Sequence, residues 1–251
     1  MRRLSATVAV LGTTFFLAAP DVQAAELRVL ASNGIKAAVE ELKPQLEKAS
    51  GSTLSIDFNT AATLRERIEK GEAFDVAILT DEAMEALVKA GRLSPMLTKL
   101  ARVGIGVGYR TGSAKPDIHT AAAMKQSLLN AKAIAYTGNG ASRPAIDRMI
   151  ERLGIAKELQ AKSHLTAAGA APASVAKGDS DLVLTLISEI LPEPGVTLAG
   201  PLPSDFQTYL GFSAAPSAKA AGNTSATKLI AFLHGPAAAA GYTAKGMEVT
   251  R

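Results

Sequence analysis

The sequence predicts an α/β protein of two lobes with a cleft between them, on three observations. Short apolar runs of strand character alternate with amphipathic helical runs along the chain. Three of those runs end in small or hydroxyl residues where a helix begins: Leu27 to Ala31 before Ser32-Asn33-Gly34, Leu54 to Phe58 before Asn59-Thr60, and Ala133 to Thr137 before Gly138-Asn139-Gly140-Ala141-Ser142-Arg143. Two extended segments, near residues 102–109 and 204–212, divide the units into two sets, so the chain crosses twice and finishes where it started. The expected lobes are residues 25–104 with 206–251, and residues 105–205.

The first 24 residues read as an export signal. Arg2 and Arg3 make a basic start, Val8 to Ala19 is mostly apolar, and Val22-Gln23-Ala24 fits a small-residue cleavage site, so cleavage is expected after Ala24. Ordinary secretion to the periplasm follows, because Leu4-Ser5 does not continue a twin-arginine pattern and the apolar stretch is short for a membrane anchor.

In the mature part, Ile35 to Ala49 places Ile35, Ala38, Val39, Leu42 and Leu46 on one face, with Gly51 as its stop. Thr63 to Lys70 repeats the pattern with Leu64 and Ile68, ending at Gly71. Asp75 to Thr80 is nearly continuously apolar, as in a parallel strand buried on both faces, and Asp81 then caps a helix through Ala90. The second set starts near Ile105 to Tyr109 and continues with the Ala133 strand, a helix from Pro144 to Leu153, a strand at Ser163 to Thr166 and another at Asp181 to Leu186. After a Pro-rich stretch, Leu191 to Pro203, come a strand from Tyr209 to Ala214 and helices at Thr224 to Leu233 and Pro236 to Lys245.

Composition excludes several functions. The chain has no cysteine, hence no disulfide, thiolate metal site, cysteine nucleophile or lipid-anchored cysteine. The net charge of +4 falls to +3 when Arg2, Arg3 and Asp21 leave with the signal, and runs such as Arg65-Glu66-Arg67-Ile68-Glu69-Lys70 alternate in sign as a solvated helix face does, so nucleic acid is not a partner. Tryptophan is absent and aromatic residues make up 4%, which disfavours a sugar cleft. His119, His164 and His234 are scattered and no metal-ligand spacing occurs, so neither metal nor cofactor is expected. Gly104, Gly106 and Gly108 alternate within a strand pattern and mark a flexible crossover, not a nucleotide loop.

Several stretches resemble the periplasmic molybdate-binding protein family: Leu30 to Gly34, Phe58 to Leu64, Gly71 to Ile78, Leu100 to Val107 and Phe232 to Ala238. The resemblance spans nearly all of the mature chain. It implies a two-lobed periplasmic binding protein of the class II fold, a monomer that closes on a small anion and hands it to an ABC permease. The residues that bind the oxyanion in that family are replaced here. Gly34 stands where its first serine aligns, with Ser32 two residues earlier, Thr60-Ala61-Ala62 replaces its serine-rich second loop, and Leu184-Thr185-Leu186 has no tyrosine. The sequence is also similar to a branch of extracellular solute-binding proteins marked by Gly140-Ala141-Ser142 and Ile187-Ser188-Glu189-Ile190-Leu191-Pro192. That branch includes aconitate isomerase, a periplasmic enzyme that interconverts cis- and trans-aconitate, which supplies an alternative function.

Helix N-termini carry unpaired N–H groups and a positive dipole end, so the three loop-to-helix turns are the expected anion site. The candidate ligand-binding residues are Ser32, Asn33 and Gly34 in the first turn and Asn59, Thr60 and Thr63 in the second. In the third they are Gly140, Ala141, Ser142 and Arg143, with Ser142 as helix cap and Arg143 as a clamp for a carboxylate. Ser188 completes the set, and Glu189 is the candidate general base should the protein be an enzyme.

Overall fold

The computed structural model describes residues 25–250, so the expected signal and its cleavage site lie outside the described residues. In chain order the elements are β1 (Glu26–Ser32), a 3-10 turn (Asn33–Ile35), α1 (Lys36–Ser50), β2 (Thr53–Asn59), α2 (Ala61–Glu69), β3 (Val76–Thr80), α3 (Asp81–Lys89) and β4 (Thr98–Arg110). There follow α4 (Ala121–Asn130), β5 (Ile134–Thr137), α5 (Arg143–Leu153), α6 (Ala156–Gln160), β6 (Ser163–Thr166), α7 (Ala171–Lys177), β7 (Leu182–Leu186) and α8 (Ile187–Ile190). The chain ends with β8 (Val196–Pro201), β9 (Tyr209–Pro216), α9 (Thr224–His234), α10 (Pro236–Ala244) and β10 (Glu248–Val249).

The strands form one path in the order β2-β1-β3-β9-β4-β7-β5-β6, with β8 and β10 also paired to β4. Pairing is parallel among β1, β2 and β3 and among β5, β6 and β7, as alternating strands and helices require. The returning strand β9 and the long β4 are antiparallel to their neighbours, so the sheet is mixed. β4 belongs to both lobes. Its stretch Thr98 to Gly104 pairs with β9, and Ile105 to Tyr109 pairs with β7.

At that handover a side chain does the work of a strand. Gln207, on the second crossing segment, accepts the Ile105 N–H on Oε1 (3.0 Å) and donates Nε2 to the Ile105 carbonyl (2.9 Å). The three glycines of β4 lie within the strand, with a shift in the pairing to β8 between Val107 and Gly108. A Cβ on Gly106 would stand 2.8 Å from Ile187, and one on Gly108 would stand 2.7 Å from Val183, so these positions are small because helix and strand press on them. Close packing, not a loose crossover, explains these two.

Packing follows the sequence periodicity. Ala38, Val39, Leu42 and Leu46 of α1 are buried against the face of β1 that carries Leu27 and Val29, together with α9 and α10. Leu30, Ala77 and Leu79 point to the opposite face and meet Leu64 and Ile68 of α2 and Met84 and Leu87 of α3. All five residues of β3 are buried, which is why its sequence shows no alternation. α1 stops at Gly51 in the left-handed conformation (φ 69°). One expected cap differs: Thr80 holds the cap position of α3, and Asp81 is its first helical residue, its carboxylate accepting from the Ser213 hydroxyl.

Candidate functional site

The three loop-to-helix turns converge. β1 and β2 run parallel and in register up to Ser32 and Asn59, so the turns after both open at the same end of the sheet. The turn after β5 meets them from the other lobe. Together with the end of β7 they enclose a small inner pocket, about 20 Å³, lined by Ser32, Asn33, Gly34, Thr60, Ala61 and, opposite them, Thr137, Gly140, Ala141, Ser142, Gly169, Thr185, Leu186 and Glu189.

Ser32 and Ser142 are buried on opposite walls, 4% and 6% exposed. Neither hydroxyl caps its helix, and neither has a hydrogen-bond partner among the described residues. Ser142 occupies the expected cap position of α5 but leaves its hydroxyl uncommitted, while Pro144 sits in the first turn, where no N–H is needed. Thr60 caps α2 by accepting the Thr63 N–H at 3.2 Å and donates its own proton to Thr63 Oγ1 at 2.9 Å.

Glu189 is the one titratable side chain among the residues lining this pocket. Burial raises its pKa above the ordinary carboxylate value, against the opposing effect of hydrogen bonds from the Thr185 hydroxyl and the Leu186 N–H. No cation forms an ion pair with it among the described residues. The pocket thus combines free hydroxyl donors, helix-start amides and a carboxyl group that holds its proton more firmly than usual.

Four candidates stand outside this lining. Asn59 accepts the Thr60 N–H on its side-chain Oδ1 at 2.9 Å and shapes the turn. Thr63 Oγ1 accepts from Asn139 Nδ2 at 3.1 Å, a bond that reaches across the cleft. Ser188 donates its hydroxyl to the Gly34 carbonyl at 2.6 Å, so its proton is spent on joining α8 to the first turn. Arg143 donates Nε to Asp147 at 2.6 Å, and its guanidinium lies 4.5 Å from the centre of the Tyr136 ring, held back from the inner pocket.

Sequence reasoning missed Thr137, Gly169 and Thr185. Thr137 closes the third strand run, but no motif marks its hydroxyl; Gly169 lies in a loop without a motif of its own, and it meets Asn33 from the other side. An outer cleft of about 690 Å³ adjoins the pocket and shares Ala61, Gly140 and Ala141 with it. Arg65, Arg143 and Arg148 line that cleft. The expected solvated face of α2 holds for Glu66, Glu69 and Lys70, which are exposed, while Arg65 borders the cleft and Arg67 is tied to Asp57 and Glu72.

This architecture is shared with known proteins. A periplasmic molybdate-binding protein of Azotobacter vinelandii superposes with a TM-score of 0.75 at 20% identity, covering 90% of this chain and 100% of that one. A tungstate-binding protein from Desulfovibrio alaskensis gives 0.62 at 15% identity, over 90% and 99%. Both share the two-lobed class II binding-protein fold with this chain. In sequence, an aconitate isomerase from a Pseudomonas species is 30% identical over 249 residues, 95% of this chain and 92% of that protein. Residues 27–248 match the pattern of the bacterial extracellular solute-binding proteins, and the chain belongs to that family.

Proposed function

We propose that the protein binds a small anion in the inner pocket between its lobes, in the periplasm, and serves an ABC-type importer. One observation carries the reading: the hydroxyls of two buried serines, Ser32 and Ser142, line one pocket from opposite lobes without a protein partner. A hydroxyl that lines a pocket without a protein partner is free to donate to a ligand, and an anion is the acceptor that helix-start amides also favour. Family membership supports the receptor role, and the export-type N-terminus supports the compartment. The lobes we propose divide at residues 104/105 and 205/206; the handover of β4 from β9 to β7 between Gly104 and Ile105 supports the first of these boundaries.

The test is titration calorimetry of the mature protein with molybdate, tungstate and small carboxylates, on wild type, Ser32→Ala and Ser142→Ala. Each substitution removes a hydrogen bond to a charged acceptor, worth about 1.5–3 kcal/mol, or roughly 10- to 150-fold in affinity. Wild-type affinity in both variants would remove the inner pocket as the anion site.

A second reading, an isomerase acting on aconitate, has its own support: a partly buried carboxyl stands in the pocket, and a relative 30% identical over nearly the whole chain is an aconitate isomerase. In its ionised form Glu189 would take a proton from the methylene carbon beside the double bond. The electron pair would shift, and the same proton would return to the far end of the allylic system. A proton NMR time course with cis-aconitate decides between the readings. A growing trans vinyl signal that Glu189→Gln abolishes supports the enzyme, and unchanged cis-aconitate supports the receptor.

A further inference from the structure

The inner pocket opens into a cleft more than large enough for a compact oxyanion, and the charge in that cleft is unevenly used. Of its three arginines, Arg143 is committed to Asp147 and the Tyr136 ring. Of its two acids, Asp81 accepts from Ser213, and Glu82 lies in the first turn of α3, where the helix dipole favours it. The other two arginines are held less firmly. Arg65 makes no side-chain hydrogen bond; its Nε pairs loosely with Glu69 along the helix at 3.5 Å, and both side chains are partly exposed. Arg148 is exposed and makes no hydrogen bond or ion pair among the described residues. Arg65 comes from α2 in one lobe and Arg148 from α5 in the other, on opposite sides of the same cleft.

A tetrahedral oxyanion held by Ser32 and Ser142 has no group to offer these guanidinium ions. An elongated ligand with a second anionic group does, since planar guanidinium forks match carboxylates. We infer that Arg65 and Arg148 are specificity-determining residues for a di- or tricarboxylate whose first carboxylate enters the inner pocket while a further one lies in the outer cleft. This rests on the inner pocket being the anion site.

The experiment is calorimetry at fixed ionic strength on wild type, Arg65→Gln, Arg148→Gln and the double variant, with molybdate, but-2-enoate, glutarate and cis-aconitate as probes. Wild type is expected to bind cis-aconitate or glutarate at least about tenfold more tightly than the monocarboxylate. The double variant should lose that preference while keeping its melting temperature and its affinity for but-2-enoate. The inference is overturned if molybdate binds best, if mono- and polycarboxylates bind alike, or if the preference survives both substitutions. Failure of every probe to bind would instead sink the inner pocket as an anion site, and this inference with it.

Discussion

Replacing Gly34 with alanine tests how tightly the first turn is pressed against the rest of the site. The added methyl would lie 2.6 Å from Leu186 Cδ1 and 2.6 Å from Phe212 Cζ, inside ordinary contact distance on two sides. Phe212 is fully buried, and Leu186, 3% exposed, has only the small inner pocket beside it. Leu186 ends β7 in the second lobe, but Phe212 lies on β9 beside the turn's own strands, so opening the cleft relieves only one of the two clashes. Overpacking of this kind costs about 1–3 kcal/mol. For a chain of this size each kcal/mol moves the melting temperature by about 2–4 °C, which gives a fall of roughly 2–12 °C. Thermal and urea unfolding followed by circular dichroism would measure it. Gly138→Ala is the control, since a Cβ there meets nothing within 4 Å. If Gly34→Ala melts with wild type and the control, the packing argument for a glycine at this position is wrong.

Further expectations concern the walls of the pocket. Glu189 binds its proton more firmly folded than unfolded, so its contribution to stability is present below the ordinary carboxylate pKa and is lost as pH rises through the raised folded value. Glu189→Gln should therefore flatten the decline in melting temperature over that window and raise it near neutrality; an unchanged pH profile would show that the carboxyl is not desolvated. Asn139→Ala removes the hydrogen bond to Thr63 across the cleft, about 0.5–1.5 kcal/mol in favour of the closed arrangement, and small-angle scattering without added ligand should show a larger radius of gyration. An identical scattering curve would make that bond irrelevant to closure. Tyr242→Phe strips the donor from the buried Leu233 carbonyl, bonded at 2.9 Å, and should cost about 1–3 kcal/mol in urea unfolding; a cost below about 0.5 kcal/mol would mean another donor replaces it.

The fold was legible wherever periodicity reports burial. Ile35, Ala38, Val39, Leu42 and Leu46 recur at helical spacing because one face of α1 is covered, and the unbroken apolar run of β3 reflects cover on both faces. β8 escaped notice inside the Pro-rich stretch, because its residues are only partly buried and show no alternation. Helices α4 and α7 also escaped, since their alanines carry little contrast between faces. At the site, the strand-to-helix turns pointed to Ser32, Asn33, Gly34, Thr60, Gly140, Ala141 and Ser142 because turn chemistry is local. What sequence could not order was commitment. Ser142 and Ser188 are both buried serines beside helix starts, yet one hydroxyl is free and the other is spent on a carbonyl 154 positions away in sequence. Arg143 and Arg148 share one helix, and only the partners brought by folding decide which guanidinium is available.

Gln207 sets the mechanics of the molecule. Two chain segments join the lobes near this point, and a pair of unlinked ribbons could slide past each other or twist independently. By clasping both the N–H and the carbonyl of Ile105, the Gln207 amide carries the pairing of the two straps one residue past the last β4–β9 contact, so they flex together as one hinge pin. Motion is then channelled into a single swing. A jaw that swings on one axis returns Ser142 to the same place opposite Ser32 on every stroke, so a pocket assembled from two halves keeps its gauge over many openings.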